Sequence, residues 1–388
     1  MVSASIASTR ESKTTERSTR PVAIWLLVCC AMIFAMVVIG GITRLTWSGL
    51  SITEWQPVSG IVPPLSAADW KAEFAKYQQT AQYKLLNAGM SLGDFKTIFR
   101  WEYVHRLWGR LIGFVYALPF LYFLARRRIP RRLAWPLAGI FALGGAQGAL
   151  GWYMVESGLA ERIEVSQYRL TAHLALALVI YAATLWTALG LLQTPTPTLP
   201  RLRGRELATA SAPDAPPPPL AGEGWGGGWR RAAEAVLALI SLTIVAGGFV
   251  AGLNAGLTYN TFPLMDGSFV PAGYAQLSPF VRNWFENVAA VQFDHRILAM
   301  TTVASVFALW LAGWRAALPL AAKRALHGLL AIALLQLSLG ISTLLLVVPL
   351  PLAAAHQAGA VLLLTAAIVL RHRLRPPGKL DAAAPAAV

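Results

Sequence analysis

Apolar residues in this chain come in long unbroken runs, without the two- or three-residue alternation of a soluble core. A helix needs about 20 such residues to cross a bilayer. Eight runs qualify, at about 22–43, 103–125, 133–155, 167–192, 232–253, 289–313, 325–347 and 351–370. The last two are divided only by Pro349-Leu350-Pro351, a step that interrupts a helix and marks a tight turn. The pattern predicts an all-α polytopic membrane protein with eight transmembrane helices.

The polar intervals are unequal. Residues 1–20 read as a polar tail without signal-peptide features, so the first run is expected to be a retained span. Residues 194–230 hold eight prolines and the stretch Gly222-Glu-Gly-Trp-Gly-Gly-Gly228, the composition of a linker without a packed core. The interval from Arg44 to Arg100 is far longer than an ordinary connection and is expected to fold as short amphipathic helices over the outer face. The predicted organisation is a tail (1–20), a four-helix half (21–193), a linker (194–230), a second four-helix half (231–372) and a tail (373–388).

Composition agrees with the runs: 56% of residues are hydrophobic and 13% charged, against about 25% charged in soluble domains. The formal charge of +15 would suggest nucleic acid in a soluble chain, but basic residues also mark the cytoplasmic side of a membrane protein. With the N-terminus inside, the inner segments hold twenty-one basic and seven acidic residues, a net +14. The other side holds twelve basic and eleven acidic, a net +1. Both termini are therefore expected in the cytoplasm, with the charge facing anionic lipid and no nucleic acid bound. Cys29 and Cys30 are adjacent within the first run and suit neither a structural disulfide nor a metal site.

The halves repeat. Gly40-Gly41 and Ser48-Gly-Leu-Ser51 match Gly247-Gly248 and Ala255-Gly-Leu-Thr258 at an offset of 207. His105-Arg106 matches His295-Arg296 at 190, Gln147 and Leu150-Gly151 match Gln336 and Leu339-Gly340 at 189, and His173 matches His356 at 183. Each half contains an even number of spans, so the repeats are parallel, giving two pseudo-symmetric four-helix bundles.

His105, His173, His295 and His356 each fall near the outer end of an even-numbered span. Ionisable groups at such depth are costly and usually functional. Zinc would ask for a third ligand that does not recur in both halves, whereas haem iron takes two axial imidazoles from opposite helices of a bundle. Glycines at 40, 41, 109, 113, 144, 145, 148 and 151 suit a groove for a porphyrin, although they also suit helix packing. Arg106 and Arg296 are candidates for haem propionates, or for snorkelling to the interface. Glu102 lies one turn before His105, where the second half has Gln292, so acid–base work is expected in the first half only. His327 and His372 lack repeat partners and read as surface residues on the inner side.

The stretch Gly40-Gly-Ile-Thr-Arg-Leu-Thr-Trp-Ser-Gly-Leu-Ser51, with Glu54-Trp-Gln-Pro57, Pro63-Pro64 and Glu102-Tyr-Val-His-Arg106, resembles the haem A synthase family over about 22–192 and 232–370. The resemblance implies an oxidoreductase that converts the C8 methyl of haem O to the formyl group of haem A by successive hydroxylations. It also implies that His105 and His173, with Glu102, serve the substrate haem, and that His295 and His356 hold a haem b cofactor. Some members carry a cysteine pair in an outer loop; this chain has none there. Candidate partners are the enzyme that makes haem O, an electron donor such as a ferredoxin, the bilayer and a second copy of the chain. The expected location is a bacterial inner membrane, with the mitochondrial inner membrane as the alternative. Competing readings are a quinone-linked dihaem cytochrome b and a transporter.

Overall fold

The computed structural model describes residues 2–55, 59–159, 163–192 and 225–375. Among these residues there are eleven α-helices and no strand. They are α1 (Val2–Leu45), α2 (Ala67–Tyr77), α3 (Ala81–Leu85), α4 (Leu92–Ala125), α5 (Arg131–Leu159) and α6 (Gln167–Leu192), followed by α7 (Trp225–Gly252), α8 (Asn283–Glu286), α9 (Val288–Trp314), α10 (Leu320–Leu345) and α11 (Leu350–Arg373). Eight of them, α1, α4–α7 and α9–α11, are long and apolar enough to cross a membrane, in the order the apolar runs predict.

Helix contacts in the first half run α1–α4, α4–α5, α5–α6 and α6–α1, and in the second α7–α9, α9–α10, α10–α11 and α11–α7. The halves meet where α1 and α6 lie against α7 and α11. Val22, Leu26, Cys29, Cys30, Ile33 and Val37 of α1 belong to the continuous buried core, their spacing of three and four residues laying them along one side of the helix. Tyr181 and Thr365 join α6 to α11 through a 2.7 Å hydroxyl contact.

Three boundaries differ from the hydropathy reading. Helix α4 starts at Leu92, well before Tyr103, because Ser91 caps it by accepting from the Asp94 amide. Its first turns are amphipathic: Phe95 and Phe99 are buried against Trp70, Phe74 and Tyr77 of α2, each burial stabilising by about 1.5–3 kcal/mol. Mixed polarity hides such turns from a search for apolar runs. Helix α7 begins at Trp225, inside the predicted linker, and Trp229 packs on the core. The rest of that linker, 194–224, lies outside the described residues, as does most of the C-terminal tail, from 376. At the other end, α1 is helical from Val2, through the predicted tail.

The long segment after α1 folds as α2 and α3, capped by Ser66 and Thr80. Gln82 ties this cap down by donating to the carbonyls of Trp47 and Ile163. Here the end of the molecule that carries α2, α3 and α8 is the loop face; the opposite end is the tail face.

Candidate haem-binding sites

Four histidine rings stand near the loop face, one each on α4, α6, α9 and α11, and each lies against a glycine of a neighbouring helix. A Cβ at Gly40 of α1 would stand 3.1 Å from Nε2 of His105. One at Gly151 of α5 would stand 2.9 Å from Cε1 of His173. In the second half Gly247 of α7 faces His295 at 3.1 Å, and Gly340 of α10 faces His356 at 2.9 Å. Ordinary contact needs about 3.5–4.0 Å, so a methyl group at any of the four would push the ring. His105 and His173 lie within electrostatic reach of each other, as do His295 and His356.

The glycine doublets have a second use. Gly41, next to Gly40, receives the side chain of Gln357, the residue after His356, and Gln357 donates to the Val37 carbonyl at 2.9 Å. Gly248, next to Gly247, receives Thr171, two residues before His173. The first glycine of each doublet thus backs a histidine of its own half, and the second lets the other half approach.

Matching glutamines support the later histidine of each pair. Gln147 donates to the His173 carbonyl at 3.0 Å, and Gln336 to the His356 carbonyl at 2.9 Å. Sequence reading uses these glutamines only as markers of the repeat. Among buried polar atoms without a hydrogen-bond partner are Nδ1 of His173 and of His295 and Oε1 of Gln147 and of Gln336. Unpaired polar atoms in such positions are costly unless a ligand or water completes them. Paired imidazoles, ring-sized glycine backing and apolar helices are a donor set that fits haem iron.

Glu102 is almost fully buried, at 2% exposed. Its Oε2 accepts from the amides of Ser51 (2.7 Å) and Ile52 (2.8 Å) and from the Ser51 hydroxyl (2.7 Å). Its Oε1 accepts from Nε and Nη2 of Arg106, at 3.1 and 2.7 Å. The carboxylate is therefore the anchor of the Ser48–Ile52 turn as well as a charge close to His105. Gln292, its counterpart, donates to the Tyr259 carbonyl.

Arg106 and Arg296 make the same clasp. Arg106 donates to the carbonyls of Ile52 (2.9 Å) and Glu54 (3.1 Å); Arg296 donates to those of Tyr259 (2.6 Å) and Thr261 (2.8 Å). The acceptors are related by the repeat offset of 207. Both guanidiniums thus bind loop backbone, although both remain beside their histidines in sequence.

Sequence reading assigns no role to Arg44. Its Nη2 pairs with Glu164 at 2.6 Å and also donates to the Ala251 carbonyl and the Asn254 side chain. Asn254 in turn donates to both Glu164 oxygens. The signal available in the sequence is a charge inside the Gly40–Ser51 motif, at the end of an apolar run. On the tail face, His327 is exposed and accepts from the Trp310 indole at 2.8 Å. His372 is not a surface residue: it is 2% exposed, edge-on to Trp186, because α11 turns it inward between the halves.

These features define a class: a helical membrane protein with two repeated sites, each built on two histidines backed by glycine. The chain belongs to the COX15-CtaA family of cytochrome oxidase assembly proteins, whose model matches residues 23–368. It is 53% identical to the heme A synthase of Nitrosospira multiformis over 356 residues, covering 92% of this chain and 94% of the relative. With the heme A synthase of Rhodospirillum centenum it shares 49% identity over 377 residues, 97% of this chain and 94% of the relative. With human heme A synthase COX15 it shares 45% over 362 residues, 92% and 83%.

Proposed function

We propose that this chain is a haem A synthase, an oxidoreductase that converts the C8 methyl of haem O to the formyl group of haem A. The observation that carries the reading is the fourfold repetition of a histidine ring against a glycine of the adjacent helix, in a chain that belongs to this family. In this reading His105 and His173 hold the substrate haem, and His295 and His356 hold a resident haem b. When bound, haem b supplies one-electron redox chemistry at an iron with two imidazole ligands.

Forming the aldehyde takes two two-electron oxidations of the methyl, through the alcohol to a gem-diol that loses water. The protein's own part is positional and acid–base. His105 and His173 fix the porphyrin, and glycines 40 and 151 let their rings sit deep between helices. At the repeat-related position the first half carries the carboxylate of Glu102 and the second half the amide of Gln292. Among the described residues Oε1 of Glu102 is held by Arg106 alone. A proton accepted at that oxygen would cost one ion pair and leave the Ser51–Ile52 turn anchored on Oε2.

The basic asymmetry supports a bacterial inner-membrane location, with the tail face and both termini in the cytoplasm. All four histidines then lie near the opposite, outer side. A quinone-linked dihaem cytochrome would instead spread its haems across the membrane. Partners that fit are the enzyme making haem O and a one-electron donor such as a ferredoxin.

Haem extraction with mass analysis of the purified protein tests the reading. Haem b together with haem O or haem A is expected; haem b alone would favour the cytochrome reading. Replacing His295 or His356 with Ala should remove haem b, and full retention of it would overturn the ligand assignment.

A further inference from the structure

A resident haem stays in place while a substrate haem has to arrive and leave, so two similar sites in those roles should hold their ligand rings differently. The halves do differ, at the later histidine of each pair. In the second half Nε2 of Gln336 stands 3.1 Å from Nδ1 of His356 and also donates to the His356 carbonyl at 2.9 Å. Gly340, one turn further along α10, lies against Cε1 of the same ring, so α10 meets that ring at two points. In the first half Gly151 of α5 lies against Cε1 of His173 in the same way. Gln147 donates to the His173 carbonyl, but among the described residues Nδ1 of His173 has no hydrogen-bond partner. Nδ1 of His295 has none either, which leaves the later ring as the point of difference.

The sequence supplies a reason. Gly359 stands three residues after His356, on the same side of α11, and a Cβ there would fall on Oε1 of Gln336. The glutamine amide thus occupies the space that a side chain at 359 would take. The repeat offset of 183 puts Leu176 at this position in α6, and Leu176 packs on the apolar core. Helix α10 also packs more extensively on α11 than α5 does on α6, as small residues at a membrane helix interface allow. A carboxamide suits Nδ1 in either form of the neutral ring: Nε2 donates to a bare Nδ1, and after the amide turns over Oε1 accepts from Nδ1–H. The turn exchanges the bond to the carbonyl for one to the ring. A ring whose Nε2 is taken by iron carries its proton on Nδ1 and needs that acceptor.

We propose that Gln336 is a positioning residue that fixes the His356 ring in the orientation its iron requires, and that Gly359 makes the room for it. A hydrogen bond of this kind sets the ring and raises its basicity as a ligand. His173 has the backing glycine but no such partner, so it is the ring that lets go of iron when one haem replaces another in the first half. The inference rests on the assignment of haem O to His105 and His173 and of haem b to His295 and His356.

The test follows how fast each haem leaves. Haem-loaded protein in detergent is mixed with excess apomyoglobin, and the haems remaining on the chain are measured by extraction and mass analysis. In the wild type, haem O plus haem A should leave at least about tenfold faster than haem b, the low end of what such a partner contributes to affinity. Q336M keeps the size of the side chain and removes the amide; its haem b should leave about 10–100-fold faster than in the wild type. The EPR g values of its ferric haem b should also change, because they depend on how the axial rings are turned. G359L should produce both changes, since its side chain would displace the amide. Equal loss of the two kinds of haem from the wild type, or wild-type transfer of haem b in Q336M or in folded G359L, would overturn the proposal. Faster transfer with unaltered g values would overturn it too, because general loosening of the bundle releases haem without turning the ring. Q336M stays informative if G359L does not fold. H356A tests the underlying assignment separately: haem b retained there breaks the assignment to His356, whereas haem b lost there and unaltered in Q336M breaks the role of Gln336 alone.

Discussion

Arg44, at the end of α1, donates to the carbonyl of Ala251, the residue that occupies Arg44's own place in the second half. The two halves thus meet through an arginine present in only one of them. Glu164 and Asn254 complete the group, and the ion pair is largely covered, with side chains 14% and 21% exposed. Each half presents a polar cap at the loop face, and this contact joins the two.

Removing the arginine leaves Glu164 partly buried without its cation. Arg44→Ala should lower stability by about 1–3 kcal/mol, the range for a lost hydrogen-bonded charge that keeps some access to water. Arg44→Lys should recover only part of this, because a single ammonium cannot reproduce the guanidinium's planar geometry. Thermal unfolding in detergent, with the haem b spectrum as reporter, measures both.

Glu102→Gln keeps the size of the side chain but loses the charge that binds Arg106 and the Ser51–Ile52 turn. Haem b content should stay at the wild-type level while conversion of haem O to haem A falls below detection. Normal turnover in this variant would remove Glu102 from the chemistry. Limited proteolysis between residues 46 and 66 should quicken in Glu102→Ala, which loses the anchor altogether.

The glycine contacts predict a graded series. Gly340→Ala should expel haem b and Gly151→Ala the substrate haem, since each methyl would meet its ring at 2.9 Å. Gly40→Ala and Gly247→Ala, at 3.1 Å, should weaken binding less. Alanine is the better helix former by about 1 kcal/mol, so lost helix propensity cannot explain a loss of haem. Haem-to-protein ratios after purification give the order.

Acid should loosen the loop-face cap through Asp69. Its carboxylate accepts from the Ser66 and Leu65 amides, and these bonds hold its pKa below the usual aspartate value. A lowered carboxyl contributes stability above its ordinary pKa of about 3.9 and loses it as the pH falls through the lower folded value. Amide exchange in α2 should accelerate over that interval in the wild type, with a flatter acid limb in Asp69→Asn.

The eight spans and their order were legible because crossing a bilayer imposes a length and polarity on every helix. Only a few polar residues interrupt the apolar runs, so His105, His173, His295, His356 and Glu102 stood out. Helix ends were legible where polarity changes sharply and were missed at α4, whose first turns bury Phe95 and Phe99 against another helix while keeping a polar face. His372 was misread because proximity to a helix end does not reveal which way a side chain turns. Tertiary structure alone decided that glycines 40, 151, 247 and 340 each back a histidine, that Arg106 and Arg296 bind loop carbonyls, and that Arg44 joins the halves. These are contacts between residues up to 210 positions apart. A one-dimensional pattern records what each residue prefers to be near, such as lipid, water or a charge. Which partner satisfies that preference is set by how the helices pack.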